Sequence, residues 1–294
     1  MITVLTPTYN RAKYLGKAYE SLLSQSDKNF EWIIVDDGST DDTKKYVTKI
    51  QKENKIKIKY FYKENGGKHT ALNLGTKEAN GDLLLVLDSD DMLSANAIET
   101  IHYKWKKYEK KENICGMTFL KKLNNSIYKS KSFDECISNV VDFKYNKNHL
   151  QDMCEVVRTN ILKKHPYPVF DNENFLSEII IYNEISKQYD MVYIPIEIYI
   201  AEYLDDGLSK SWLKLVVNNP KGARANSLRF MNNKNYKLRI RLKNCLTYGV
   251  YSIIAKEKII RESEMKLIST VTYFPCLLIA KYLEKKYKKR SKEK

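Results

Sequence analysis

The sequence lacks the compositional features that distinguish fibrous, repeat or disordered proteins from globular ones. It contains only 10 Gly and 6 Pro in 294 residues, and it has no internal repeat and no low-complexity linker. Its hydrophobic content of 43% is enough for a packed core. We therefore expect one large domain, or one domain with an appendage.

Close cysteine pairs are absent. The five cysteines are odd in number and scattered, which excludes a structural zinc site and a small disulfide scaffold. We therefore expect them to be reduced. The first residues, MITVLTPTYNR, do not have the pattern of a secretory signal, so we expect the protein on the cytoplasmic side.

Acidic residues are scarce in the last third of the chain. Residues 1–205 carry 29 Lys and Arg against 30 Asp and Glu, whereas residues 206–294 carry 22 against 6. The net charge of +15 therefore originates almost entirely in the second segment. We predict two modules, a domain of nearly balanced charge at 1–205 and a basic helical region at 206–294.

The first ninety residues alternate between two periodicities. Apolar runs at 2–7, 30–37, 57–62 and 81–88 are typical of strands, and the segments between them have helical spacing. The run GDLLLVLD has almost no polar interruption, as in a parallel sheet covered on both faces. We predict an open α/β sheet that binds its ligand beyond the carboxyl ends of the strands.

Three carboxylates end the fourth strand, in the sequence LDSDD (87–91). In an extended segment Asp88 and Asp90 point the same way, and Mg²⁺ or Mn²⁺ commonly binds one or two carboxylates together with substrate phosphates. The structural alternative is that Asp91 and Ser94 only cap the following helix.

Four motifs in this order resemble the family 2 glycosyltransferases with the GT-A fold. They are TPTYNR (6–11), VDDGSTDDT (35–43), NGGKHTALNLG (65–75) and LDSDD, and they cover about a third of the chain. The resemblance implies a GT-A fold with a mostly parallel, Rossmann-like sheet and a C-terminal helical, basic extension. It also implies an enzyme of bacterial surface-polysaccharide synthesis.

The resemblance also implies roles for individual residues. Asp90 and Asp88 would hold the metal, Mn²⁺ or Mg²⁺, with Asp88 facing either ribose or metal. The chain has Leu72 where many members have an arginine near the nucleotide, and Lys68 could supply that charge. The residues expected to bind the nucleotide sugar are Thr6, Pro7, Tyr9, Arg11, Asp36, Asp37, Lys68, Asp88 and Ser89.

Glu178 is the expected catalytic base, with Asp90 as the catalytic metal ligand. Glu178 opens a predicted helix (174–189) where the family has an acidic residue, with Glu173 and Asp171 as alternatives.

The family resemblance implies inversion at the anomeric carbon, and UDP is the expected nucleotide. Because the Gln-x-x-Arg-Trp signature of processive synthases is absent, we expect transfer of one sugar per encounter. Residues 198–209 also resemble a segment of bacterial polysaccharide members of the family, which makes Glu202, Tyr203 and Asp206 candidates for contacts with a glycan or lipid-linked acceptor.

Two other functions stay open. The chain could be a non-catalytic scaffold of a polysaccharide assembly complex, although it retains Asp88, Asp90 and Glu178. It could also be a nucleotidyltransferase, against which the VDDGS motif argues.

The last apolar stretch is too short to cross a bilayer. Only 14 residues (267–280) precede Lys281, and Pro275 lies among them. An apolar face followed by a basic tail fits a helix lying on an anionic membrane surface, here the inner face of the plasma membrane. The alternative is a solvated helical appendage packed on the catalytic domain. We expect no nucleic-acid partner, because no reader motif accompanies the charge.

Overall fold

A computed structural model describes residues 1–124, 131–202, 212–258 and 263–288. The boundary predicted between residues 205 and 206 lies outside these ranges. The strands are β1 (Ile2–Thr8), β2 (Phe30–Asp36), β3 (Ile58–Tyr62), β4 (Leu83–Val86), β5 (Met92–Leu93), β6 (Ile114–Asn124), β7 (Cys136–Ser138), β8 (Met153–Arg158) and β9 (Asp190–Glu202). The helices are α1 (Leu15–Leu23), α2 (Thr43–Glu53), α3 (Lys68–Glu78), α4 (Ala97–Trp105), α5 (Thr159–Lys164), α6 (Ile179–Ile185), α7 (Trp212–Asn218), α8 (Pro220–Asn232), α9 (Leu238–Ile254), α10 (Lys266–Val271) and α11 (Tyr273–Tyr287).

The strands form one sheet in the order β3-β2-β1-β4-β8-β6-β9-β5, with β7 also paired to β9. The first four are parallel, as their alternation with helices predicts. Beyond β4 the sheet is mixed, because β8 is antiparallel to both β4 and β6. The parallel half therefore brings the ends of β1, β2 and β4 to one edge.

Apolar side chains cover both faces of this sheet. One cluster contains Val4, Trp32 and Leu85, and the other contains Leu5 and Leu84. This two-sided burial explains why β4 reads as an unbroken apolar run rather than an alternating one.

The pairing of β9 with β6 is irregular. Phe119 and Leu120 pair with Ile194 and Glu197, so β9 has extra residues at this point, and regular pairing resumes with Lys121. The bulge divides β9 into a part that pairs with β7 and a part that pairs with β5.

The helices from α7 onward pack on each other and on the sheet domain. α8 packs on α9 and α6, and α11 packs on α9 and α7. The five cysteines are free, and four of them are buried. Among the helices in the described ranges, none combines the length and apolar character needed to cross a bilayer.

Candidate active site

The loops after β1 and β2 are joined by side-chain hydrogen bonds. The Oδ1 atom of Asn10 accepts from the backbone N of Thr40 at 2.8 Å, and the backbone N of Asn10 donates to Ser39 Oγ at 2.8 Å. Asn10 has a φ of 53°, a left-handed conformation that Asn tolerates better than most residues. These bonds hold the TPTYNR and DDGST segments together at the edge of the sheet.

Asp36 and Asp37 are almost completely buried. Asp36 accepts from Ser39 N and from the Tyr60 hydroxyl, at 2.8 and 2.7 Å. Asp37 accepts from Lys63 Nζ and from the backbone N of Gly67, at 2.6 and 2.7 Å. Both carboxylates therefore fix the loops around the expected nucleotide pocket, and only their remaining lone pairs are available to a ligand.

The β1 motif places its residues at different depths. Thr6 is fully buried and accepts from Trp32 Nε1 at 2.9 Å, so its hydroxyl faces the neighbouring strand. Pro7 is also buried, whereas Tyr9 is 47% exposed. Arg11 lies over the ring of Tyr14, with its guanidinium carbon 5.2 Å from the ring centre.

Lys68 joins two carboxylates that are distant in sequence. Its Nζ lies 2.7 Å from Asp88 Oδ1 and 2.6 Å from Glu178 Oε1. Burial alone would lower the pKa of Lys68, but the charges of Asp88 and Glu178 outweigh it and raise the pKa. Burial alone would raise the pKa of Asp88, but Lys68 and Lys121 lower it. Lys68 is therefore a fixed positive charge between the two groups.

The other aspartates of the LDSDD motif lie in a different environment. Burial and the charge of Asp88 raise the pKa of Asp90, and they raise the pKa of Asp91 to about 6. Asp91 accepts from the Tyr199 hydroxyl at 2.7 Å and from Glu202 N at 2.9 Å. Asp91 does not cap the next helix, because α4 begins at Ala97. Ser89 is buried beside these carboxylates.

Glu178 stands at the N-terminal boundary of α6, and its carboxylate pairs with Lys68 rather than capping the helix. The alternative base Glu173 has another partner. Its two carboxylate oxygens accept from the backbone N of Lys221 and of Gly222, at 2.7 and 2.8 Å. Glu178 thus contacts the LDSDD motif through Lys68, whereas Glu173 is bound to α8.

The acceptor candidates are only partly described. Glu202 forms an ion pair with Lys17 on α1, and its backbone joins β9 to Asp91. Tyr203 and Asp206 lie outside the described residues. Leu72, where an arginine was expected, is buried in the apolar cluster with Leu5.

The sequence reasoning missed three residues of this region: Lys63, Lys121 and Tyr199. Lys121 lies over the ring of Tyr199 at 4.3 Å, and the Tyr199 hydroxyl also accepts from Asp88 N at 3.0 Å. Lys121 and Tyr199 come from β6 and β9, outside the four motifs, and alternation within a strand does not reveal such contacts. Lys63 lies beside the NGG turn, and only its positive charge could have indicated a contact with the site.

A metal ion would depend on few protein ligands here. Within the described ranges no three His, Cys, Asp or Glu side chains surround a common point. Asp88 is already paired with Lys68, whereas burial and the charge of Asp88 raise the pKa of Asp90. This donor set fits Mg²⁺ or Mn²⁺, which can use one or two carboxylates and take its other ligands from phosphate and water.

Residues 3–165 match the model of the family described as Glycosyl transferase family 2. The chain therefore belongs to this family, as the four motifs predict.

Curated relatives match over about a third of the chain. An uncharacterized glycosyltransferase of Rickettsia felis is 47% identical over 98 residues, which are 33% of this chain and 16% of that protein. The glycosyltransferase GlyG of Streptococcus pneumoniae is 38% identical over 104 residues, 35% of this chain and 34% of GlyG. The chain thus spans between a sixth and a third of the length of these two relatives.

Solved structures share the fold. The S. aureus TarS fragment 1–349 bound to UDP gives a TM-score of 0.63 at 17% identity, over 100% of this chain and 93% of that one. The mannosyltransferase PcManGT of Pyrobaculum calidifontis, bound to GDP-Man and Mn²⁺, gives 0.57 at 14% identity, over 96% and 83%. These likenesses confirm the GT-A fold and the helical C-terminal region predicted from the sequence.

Proposed function

We propose that this glycosyltransferase moves one sugar, with inversion, from a UDP-linked donor to a hydroxyl of a glycan or lipid-linked acceptor. The observation that carries the proposal is the Lys68 bridge. Lys68 contacts both Glu178, the expected base, and Asp88 of the LDSDD motif. Direct displacement with inversion requires a base within reach of the acceptor hydroxyl, on the face of the anomeric carbon opposite the departing phosphate.

The reaction needs one proton acceptor and one stabilised leaving group. Glu178 takes the proton of the acceptor hydroxyl as its oxygen bonds to the anomeric carbon. The bond from that carbon to the phosphate oxygen breaks, and the nucleoside diphosphate leaves with its electron pair. Lys68 and Lys121 provide positive charge near the diphosphate. Asp90, with Asp88, would hold a Mg²⁺ or Mn²⁺ ion, which supplies Lewis-acid neutralisation of the phosphate charge.

The choice of donor and pathway draws on the fold relatives. TarS binds UDP and UDP-GlcNAc, whereas PcManGT binds GDP-Man, and the TM-score is 0.63 for both TarS complexes against 0.57 for PcManGT. We therefore favour UDP, and a bacterial capsule, teichoic acid or related surface polysaccharide as the product.

A thermal-shift panel with nucleotides and nucleotide sugars, with and without Mn²⁺, tests donor binding. UDP should raise the melting temperature in the presence of Mn²⁺, and Asp90→Ala should abolish this effect. A chain that no nucleotide stabilises would instead support the scaffold hypothesis. A nucleotidyltransferase would use nucleoside triphosphates, so release of pyrophosphate from UTP rather than UDP from a UDP-sugar would favour that class.

We also propose that the C-terminal region attaches the enzyme to an anionic membrane surface. Large apolar side chains recur at helical spacing along one side of α10 and α11 and are 55–78% exposed. They are Leu267, Val271, Phe274, Leu278 and Tyr282. Cys276 and Ala280, on the other side, pack against α9.

The charge near this stripe suits anionic lipid. Residues 266–288 contain five lysines and one glutamate. Each basic residue near such a surface contributes about 1 kcal/mol, and the exposed apolar side chains add burial in the headgroup region. A face of this composition would place the enzyme beside a lipid-linked acceptor.

Flotation with vesicles tests the attachment. The double variant Phe274→Ser/Leu278→Ser should float less with vesicles containing phosphatidylglycerol, whereas Leu238→Ser, an equally exposed apolar position on α9, should float like wild type. Equal flotation of all three would refute the membrane face. If the wild-type protein did not float but formed a dimer, and the double variant abolished that dimer, this face would instead bind a second copy of the chain.

A further inference from the structure

The segment before Glu178 has no regular secondary structure. Residues 171–178 connect to α6, which is only 7 residues long, so the helix supplies little intrinsic rigidity. The position of Glu178 must therefore depend on contacts made by this segment.

Asn219, at the N-terminus of α8, binds two backbone groups of the segment. Its Oδ1 accepts from Asn174 N at 2.8 Å and from Phe175 N at 3.1 Å. Its Nδ2 donates to Leu215 O at 2.8 Å, and the residue is only 4% exposed. Both polar ends of this buried side chain are therefore satisfied, and one end is used to hold the segment.

Glu173 makes the reciprocal contact. Its carboxylate accepts the two free backbone N–H groups of Lys221 and Gly222 in the first turn of α8, where a negative charge is favourable. Gly222 also lets the segment approach closely, because a Cβ there would lie 2.9 Å from Leu176 Cδ1. Asn219 and Glu173 thus form a two-way clamp between α8 and the segment.

The opposite side of the segment rests on the start of α3. Gly67 has a φ of +92°, and a Cβ on it would overlap the carbonyl oxygen of Asn174. The next residue, Lys68, forms the ion pair with Glu178. The segment is thus enclosed between the helix start that carries Lys68 and the helix start that carries Asn219.

We infer that α8 positions the base: Asn219 and Glu173 are positioning residues that set where the Glu178 carboxylate stands relative to Asp88. This inference rests on the proposed function of Glu178. It gives the C-terminal helices a part in catalysis that is separate from any membrane contact.

The test compares Asn219→Leu with Asn219→Asp. Asn219→Leu removes the acceptor, and we expect kcat to fall by about tenfold or more, with the KM for the donor within about twofold, since the nucleotide loops are not touched. Asn219→Asp keeps an oxygen that can accept both N–H groups, although it loses the donor to Leu215 O, so its kcat should lie well above that of Asn219→Leu. Asn233→Ala is the control, because its side chain accepts from Asn235 N at the other end of α8.

Hydrogen exchange separates the clamp from the base. Asn219→Leu should speed amide exchange across 171–178, and Asn233→Ala should not. Unchanged exchange in Asn219→Leu would overturn the inference, as would faster exchange with an unchanged kcat. If exchange responds as expected but Glu178→Gln retains full activity, the proposed role of Glu178 fails and the clamp stands as structure only. Should Asn219→Leu not fold, Glu173→Gln, which leaves one of the α8 N–H groups without its carboxylate oxygen, replaces it with the same expected results.

Discussion

Lys68 Nζ lies 2.6 Å from Glu178 Oε1, although the two residues are 110 positions apart in sequence. The contact joins the start of α3 to the start of α6. Through Lys68, the candidate base is coupled electrostatically to Asp88 of the LDSDD motif. Its importance can be measured directly.

Lys68→Met should lower kcat by about 10²-fold, the usual effect of removing one fixed group that stabilises transition-state charge. The reason is that Asp88 and Glu178 both lose their shared counter-charge. Lys187→Met is the matched control, because Lys187 forms an exposed ion pair with Glu184 just beyond α6. Equal kcat values for the two variants, measured by nucleotide release, would show that the bridge is only structural.

Glu178→Gln should lower kcat by roughly 10²- to 10⁴-fold, since an amide cannot take the acceptor proton. Donor binding should be retained, so the thermal shift produced by UDP should match that of wild type. Glu184→Gln, on the same helix, should keep kcat. If Glu178→Gln transferred sugar at the wild-type rate, another group would have to be the base.

Glu31 should make stability depend on acid pH. Burial raises the pKa of this carboxyl, but hydrogen bonds from Lys59, Asn80 N and Thr3 outweigh the burial, so the pKa is lowered in the folded state. The stabilisation is therefore complete above the unfolded pKa, about 4.5, and is lost as the pH falls toward the folded pKa.

Glu31→Gln should lower the free energy of unfolding at pH 7 by roughly 1–3 kcal/mol. The difference from wild type should shrink between pH 5 and pH 3, as followed by urea denaturation. A difference that stays constant over this range would contradict the assignment.

Gly67→Ala should disturb both the fold and the site. A Cβ here meets the Asn174 carbonyl, and a φ of +92° is strained for any residue with a side chain. We expect a lower melting temperature and a weaker response to UDP. Gly16→Ala is the control, because its Cβ would meet only the Tyr46 hydroxyl, at 3.4 Å. Equal melting temperatures for the two variants would show that residues 171–178 move away from the added methyl group at little cost in stability.

Local patterns predicted the parallel half of the fold and the acidic strand end, because burial on both faces and polar strand ends leave marks in consecutive residues. The contacts of Lys68 and of Tyr199 could not be predicted in this way, since each depends on elements that only folding brings together. The helix expected from residue 174 begins at Ile179 instead. The amides of Asn174 and Phe175 are bonded to Asn219, and a local pattern cannot reveal this competition.

The extra residues in β9 allow its two parts to make different contacts, because the strand is not in a single regular register with β6. Residues before the bulge pair with β7, whereas Tyr199 and Glu202, after it, hydrogen-bond to Asp91. Deleting one residue between 195 and 198 would turn Tyr199 to the opposite face and leave the carboxylate without its hydroxyl partner. The contact of Tyr199 with Asp91 therefore constrains the length of this short stretch, although no residue in it belongs to the four motifs.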